Sequence, residues 1–216
     1  VSIVDDIAHF PESKFYYCQE RNLVFFQSSP REAEWYRFLN SVLDVAEQYC
    51  HVEELYTIVG MISPIAHTAY REILAVANSP EMKKNLSQYD LALDMNYQTP
   101  PGHRPTLSPF LLWAAKRRKI PGAVLAVPIP VYLVAVEDPQ AWKEPIKFFD
   151  QRFALGLDFT DLDEEIGRQN EQLAQLRARF PEVDSYIRRL EINLGLTAGE
   201  NEKLVKEVEK FLRKRD

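Results

Sequence analysis

The chain has 216 residues, of which 46% are hydrophobic and 27% charged, and its formal net charge is −6. That balance supports a packed core and excludes global disorder, and its acidic sign argues against nucleic acid or an anionic membrane surface as the main partner. No apolar run reaches the roughly 18 residues of a membrane span, no signal peptide is visible, and Cys18 and Cys50 fit neither a zinc spacing nor a disulfide framework.

In chain order, "KFYYCQERNLVFFQ" reads as a β-hairpin turning at Glu20, Arg21 and Asn22, because aromatic and β-branched residues fill both arms. The next segment changes to a helical period. Ser29 suits the N-cap, Pro30 the first helical position, and Glu32 completes a capping box. Trp35, Phe38, Leu39, Val42, Val45, Ala46 and Tyr49 form its apolar stripe. "ELYTIVGMI" is almost continuously apolar, which predicts a strand covered on both faces. A strand over "REILAVA", a short capped helix over "SPEMKKNL" and a weaker strand over "YDLALDM" follow. After the turn-rich "NYQTPPGHRP" comes a helix over "TLSPFLLWAAKRRKI", whose basic end suits the helix dipole. "PGAVLAVPIP" is a fully apolar strand, and Asp138-Pro139 opens a helix that Pro145 is expected to kink.

From Asp161 the composition turns charged and the strand signal ends. Leu162, Ile166, Leu173, Leu176 and Phe180, then Val183, Tyr186, Ile187, Leu190 and Leu194, then Leu204, Val208, Phe211 and Leu212 mark three helices with narrow apolar stripes. Such helices need a body, each other or another subunit to pack on. The alternation of strand and helix before them points to an α/β sandwich with a partly parallel sheet. The expected division is residues 1–157 as the α/β domain and 158–216 as a helical extension.

Chemistry-bearing motifs are sparse. No G-x-S-x-G elbow, dinucleotide fingerprint or P-loop occurs, and seven glycines make a phosphate cradle improbable, so no cofactor is expected. His67 and Thr68 sit in a loop after a core strand, and His103 and Arg104 in a second such loop. Ligands of open α/β sheets bind beyond the carboxyl ends of strands. If the two loops converge, Arg104 offers a planar fork for a carboxylate or phosphate; otherwise His67 closes its loop and His103 lies in a proline-stiffened turn. Asp90 with Asp94 and Glu53 with Glu54 read as solvated strand ends. Cys50 beside His51 reads as packing at a helix end. Phe15, Tyr16, Tyr17, Phe25 and Phe26 crowd the hairpin, so period-two alternation leaves aromatic rings off the core face unless helices cover both sides.

Several of these pieces together resemble a known family. "WYRFLNSVLDVAEQYCHVEELYTIVGMISPIAHT", "VPIPVYLVAVEDPQAWKEPIKFFDQRFALGLDFTDL" and "FPEVDSYIRRLE" are similar, in order and spacing, to the bacterial and archaeal branch of the proteasome assembly chaperone 2 family. The resemblance implies a three-layer α/β/α sandwich with a mixed sheet, phosphorylase/hydrolase-like in outline, carrying a C-terminal helical arm. It implies a non-catalytic cytoplasmic protein that works through protein–protein interfaces as a homo-oligomer, often a trimer.

Three features depart from the family pattern. The glycine-rich "GW-D-AG" motif is missing and the chain opens on Val1, so the domain is expected to lack its first strand and helix. The Pro-His-Thr-Arg motif reads Ala66-His67-Thr68-Ala69, with Arg71 two residues on. The family's hydrophobic-Tyr-X docking tail is replaced by Arg213-Lys214-Arg215-Asp216. The alternative is a small-molecule hydrolase or phosphorylase-like enzyme using the His67 and His103 loops.

Overall fold

The computed structural model describes residues 2–9, 12–28, 34–103 and 106–213. The chain begins with two hairpins. In the first, β1 (Ser2–Val4) pairs antiparallel with β2 (Ile7–His9). In the second, β3 (Ser13–Cys18) pairs antiparallel with β4 (Leu23–Ser28), with Phe15 opposite Phe26 and Tyr16 opposite Phe25. The first hairpin had no sequence signal, because each of its strands holds only three residues. The second lies where the aromatic pattern predicts it. Asn22 takes the left-handed conformation that ends its 3-10 turn.

Helix α1 (Trp35–Gln48) buries Leu39, Leu43 and Ala46. The sequence stripe omitted Leu43, which is fully buried, and included Tyr49, which is 78% exposed. Tyr49 stands at the C-cap, past the last turn that faces the sheet. The capping box expected at Ser29, Pro30 and Glu32 lies outside the described residues.

The main sheet has the order β5-β8-β6-β7. β5 (Leu55–Ser63) runs parallel to β8 (Gly122–Pro130), with Leu55 opposite Gly122 and Ser63 opposite Pro130. β6 (Ile73–Ala77) runs antiparallel to β8, and the two-residue β7 (Leu91–Ala92) runs parallel to β6. The sheet is therefore mixed, and β8 is its spine. Ala123, Leu125 and Val127 face one side, where α2 (Pro80–Leu86) and α4 (Pro139–Phe153) supply Met82, Leu86, Ala141 and Phe148. On the other side α1 and α3 (Leu107–Arg117) pack through Leu43, Ala114 and Ala115. Pro145 is accommodated inside α4 as a buried residue.

β5 departs from the expectation of double coverage. Tyr56 packs edge-on against Phe148, Phe149 and Phe153 of α4. Ile58 and Ile62 lie farther along the same face and are 53% and 60% exposed. An apolar run marks a strand that is covered at its flanks only if helices reach its whole length. Here α4 meets only the start of an edge strand.

Where the sheet begins, Asn78 braces two strands. Its Oδ1 accepts from the Gly122 N–H at 3.0 Å, and its Nδ2 donates to the Ile120 carbonyl at 2.9 Å. A Cβ added at Gly122 would stand 2.9 Å from the Leu55 carbonyl oxygen. Gly122→Ala is expected to lower stability by about 1–3 kcal/mol through overpacking. Urea denaturation measures it, and an unchanged midpoint would mean that β5 and β8 separate freely here.

Three further helices follow: α5 (Thr160–Arg179), α6 (Pro181–Glu191) and α7 (Ala198–Leu212). Thr197 and Glu200 form a capping box at the start of α7. Their stripes meet in one cluster of Leu173, Leu176, Val183, Ile187, Leu190, Leu204 and Val208. That cluster includes Ala66, Tyr132 and Leu133, so the three helices seat on the loop after β5 and on the 3-10 turn Val131–Leu133 after β8.

Candidate functional site

The parallel strands β5 and β8 end together at Ser63 and Pro130. Their outgoing connections meet at this carboxyl edge, where α/β sheets bind ligands. The loop after β5 places His67 against Tyr132. The tyrosine oxygen accepts from the His67 backbone N–H at 2.6 Å and lies 2.8 Å from His67 Nδ1. Burial raises the Tyr132 pKa, so the hydroxyl keeps its proton. Among the described hydrogen bonds Nδ1 is the acceptor within reach of the hydroxyl hydrogen, so Tyr132 donates to it. The neutral His67 therefore carries its own proton on Nε2.

Burial, and next the charge of Arg177, lower the His67 pKa from 6.5 to about 4. The unfolded imidazole takes up a proton near pH 6.5, while the folded one does so only near pH 4. The contribution of the neutral ring is therefore intact above pH 6.5. As the pH falls from there to about 4, the fold loses on the order of 3 kcal/mol from this group. His67→Gln is expected to flatten that part of the pH dependence, read from urea midpoints between neutral pH and pH 4. Identical slopes in both proteins would contradict the assignment.

The same loop is fastened at its far end. Arg71 is 2% exposed and forms an ion pair with Asp138. Asp138 also caps α4, its Oδ1 accepting from the Ala141 N–H at 3.2 Å. Residues 64–71 are thus held to the β8–α4 connection at both Tyr132 and Asp138. On the outside, α5 and α6 close over the loop and leave a cleft of about 490 Å³. His67, Thr68, Asn170, Arg177, Asp184 and Arg188 line it. Arg177 donates through Nε to Asp184 at 2.8 Å and through its terminal nitrogens to Glu191 at 2.6 and 3.2 Å. The Arg188 Nε lies 2.8 Å from the other Asp184 oxygen. Arg177 foremost, with Arg188, holds the Asp184 carboxyl below its usual range.

The cleft brings together His67 and Thr68, as their adjacency requires. His103 does not line it. It lies exposed in the loop before α3, its N–H donating to the Pro100 carbonyl at 3.1 Å in a tight turn. Arg104 lies outside the described residues. The structure instead joins His67 with side chains of α5 and α6, which the sequence reading had used only for their apolar stripes. Asp184 and Arg188 stand four apart on one helix, a spacing that signals an ion pair but not its neighbour Arg177. Asp90 accepts from Tyr70, and Lys83 pairs with Asp94 at the surface. Among the described residues, no group of three His, Cys, Asp or Glu side chains is placed to hold a metal ion, and no helix is long and apolar enough to cross a membrane.

A second feature lies on the hairpin β3–β4. Phe26 meets Phe15 at 4.6 Å and Phe38 of α1 at 6.1 Å between ring centroids, which ties one hairpin face to the body. At the tip, Arg21 donates to the Leu155 carbonyl at 2.7 Å. Fastened at both ends, the hairpin still leaves Tyr16, Tyr17 and Phe25 exposed, Phe25 by 58%. These rings come from both faces of the ribbon. The alternative of helices covering both sides does not hold in this chain.

Comparison with known proteins adds a family and a fold. The model of the PAC2 family matches residues 1–177. Among solved structures, the chain is similar to a Corynebacterium glutamicum protein of unknown function at 22% identity and a TM-score of 0.64. The match covers 78% of this chain but 60% of that one, so this chain spans less than two thirds of that protein. A Mycobacterium tuberculosis protein of unknown function matches at 20% identity and a TM-score of 0.71, over 99% of this chain and 72% of its own. A second M. tuberculosis protein, described as a proteasome-assembly chaperone homologue, matches at 16% identity and a TM-score of 0.67, over 86% of this chain and 78% of its own. No curated protein matches the chain.

Proposed function

The chain belongs to the PAC2 family, and from that premise we propose that it is a non-catalytic cytoplasmic assembly protein that works by protein–protein contact. The observation that carries the reading is the aromatic hairpin. Tyr16, Tyr17 and Phe25 are held in water on a two-stranded ribbon that both its ends fix to the body. Aromatic rings of this kind concentrate binding energy when a partner excludes water from them. Burying one is worth about 1.5–3 kcal/mol. The relation to a proteasome-assembly chaperone homologue supports a protein partner rather than a metabolite as the main one. Nucleic acid and membrane do not suit a net charge of −6.

On this reading the hairpin also joins copies of the chain, giving a homo-oligomer such as a trimer. Light scattering tests it. The native protein is expected at a multiple of 25.1 kDa, and the Tyr16→Ser, Phe25→Ser double variant at the single-chain mass with its far-UV circular dichroism unchanged. A native protein that runs at the single-chain mass would overturn self-association, and a variant that stays oligomeric would remove the hairpin from the interface.

A further inference from the structure

The cleft at the carboxyl ends of β5 and β8 has a chemistry that the protein-binding reading does not use. Its carboxylates are engaged while its other polar groups are not. Both Asp184 oxygens are taken, by Arg177 and Arg188. Every nitrogen of Arg177 is engaged with Asp184 or Glu191. By contrast, among the described residues no hydrogen bond reaches His67 Nε2, the Thr68 hydroxyl, the Asn170 amide or the two terminal nitrogens of Arg188. With Tyr132 donating to Nδ1, the neutral ring carries its proton on Nε2, and that nitrogen is a donor. The free groups are thus an imidazole N–H and a guanidinium, which only donate, and a hydroxyl and an amide, which can donate or accept, while both nearby carboxylates are already paired.

We propose that this cleft is a binding site for a small carboxylate-bearing molecule. The terminal nitrogens of Arg188 receive the carboxylate, for which the planar guanidinium is shaped. His67 Nε2–H and Thr68 supply further donors. The cleft's size of about 490 Å³ lies in the range of small-molecule sites. Charge selects between anions. Arg177 and Arg188 are balanced by Asp184 and Glu191, so the surroundings are neutral overall. A singly charged carboxylate is accommodated there, whereas a phosphate group brings a charge approaching about −2 at neutral pH against two nearby carboxylates. The helices of the C-terminal cluster form one wall, so an occupant bridges the body and the arm.

The test uses the full chain labelled with 15N in its four histidines. Imidazole nitrogen resonances are followed while acetate, propionate or inorganic phosphate is added at constant ionic strength. The His67 signal is identified by its loss in His67→Gln. The expected result is a saturable shift of His67 Nε2 alone, with acetate or propionate, in the millimolar range. Arg188→Gln, an exposed side chain that folding does not need, is expected to weaken the response by about 10-fold through the lost charge-assisted bond. Thr68→Val weakens it less. No saturable shift with either carboxylate, or a shift that Arg188→Gln leaves unchanged, overturns the site. Tighter binding of phosphate than of both carboxylates overturns the ligand class. The hairpin variant is expected to bind the carboxylate as the native protein does, so this site and the protein-binding reading fail separately.

Discussion

Replacing Asp138 with leucine while Arg71 remains is expected to cost the fold about 3–5 kcal/mol, because it strands a buried cation. Arg71 is 1% exposed in its side chain and Asp138 4%, so water offers neither a replacement partner. Arg71 is also under-satisfied already, its Nε having no hydrogen-bond partner among the described residues. The loss propagates in two directions. The N–H of Ala141 loses its cap at the start of α4, and the far end of the His67 loop comes free of the β8–α4 connection. Arg71→Leu alone is expected to cost a similar amount. The double variant Arg71→Leu, Asp138→Leu is expected to recover most of it, since two apolar side chains of similar volume remove the uncompensated charges. A double-mutant cycle by urea denaturation decides the matter. Additive single effects would show that the two side chains do not act as a pair.

Ile187→Ala is the second change with a large effect. Ile187 is fully buried where α5, α6 and α7 meet the loop after β5 and the turn after β8. Removing its outer carbons leaves a cavity at the centre of that cluster, at about 2–5 kcal/mol. The effect should be regional. Ala123, Leu125 and Val127 belong to the separate cluster under α2 and α4, so hydrogen exchange is expected to quicken in α5–α7 while β8 keeps its protection. The cleft residues Arg177, Asp184 and Arg188 sit on the loosened helices, so carboxylate binding at His67 should weaken as well. Equal loosening of β8 would show that the arm and the sheet share one cooperative core.

Much of the architecture was legible because local pattern and tertiary role agreed. β8 is apolar throughout and is the spine of the sheet. Ser79 and Asp138 sit at helix starts and do cap them. Most residues of the three arm stripes pack in one cluster, whereas Leu162 and Ile166 do not belong to it and Leu194 is 54% exposed. The failures have physical causes. Ile58 and Ile62 look like core residues, but nothing in an apolar run says whether a helix reaches both faces of an edge strand. Tyr49 continues the period of α1 one turn too far, because periodicity does not mark the point where a helix leaves the sheet. Leu43 was missed for the converse reason, being one step off the stripe assigned.

The cleft was less legible than the fold. His67 and Thr68 announced themselves by following a core strand. Tyr132 appeared only as one aromatic in "VPIPVYLV", and no spacing rule connects it to a histidine 65 residues earlier. Arg71 was noticed as a displaced motif residue, while Asp138 was read as a cap alone. Their pairing depends on two connections meeting at the end of a sheet, a property of topology rather than of either segment. His103 took the other of the two courses left open for it. A histidine in a loop after a strand has the same sequence signature as His67, yet it stands in a surface turn away from the cleft lining.

The account's central claim is that the exposed rings of the β3–β4 hairpin are a protein-binding surface. The most direct measurement is affinity capture from the native cell with two baits in parallel, the native chain and the Tyr16→Ser, Phe25→Ser variant, followed by quantitative mass spectrometry. The account predicts a defined set of proteins, further copies of the chain among them, retained by the native bait and lost from the variant. Equal recovery on both baits, or a native bait that retains nothing, would contradict it.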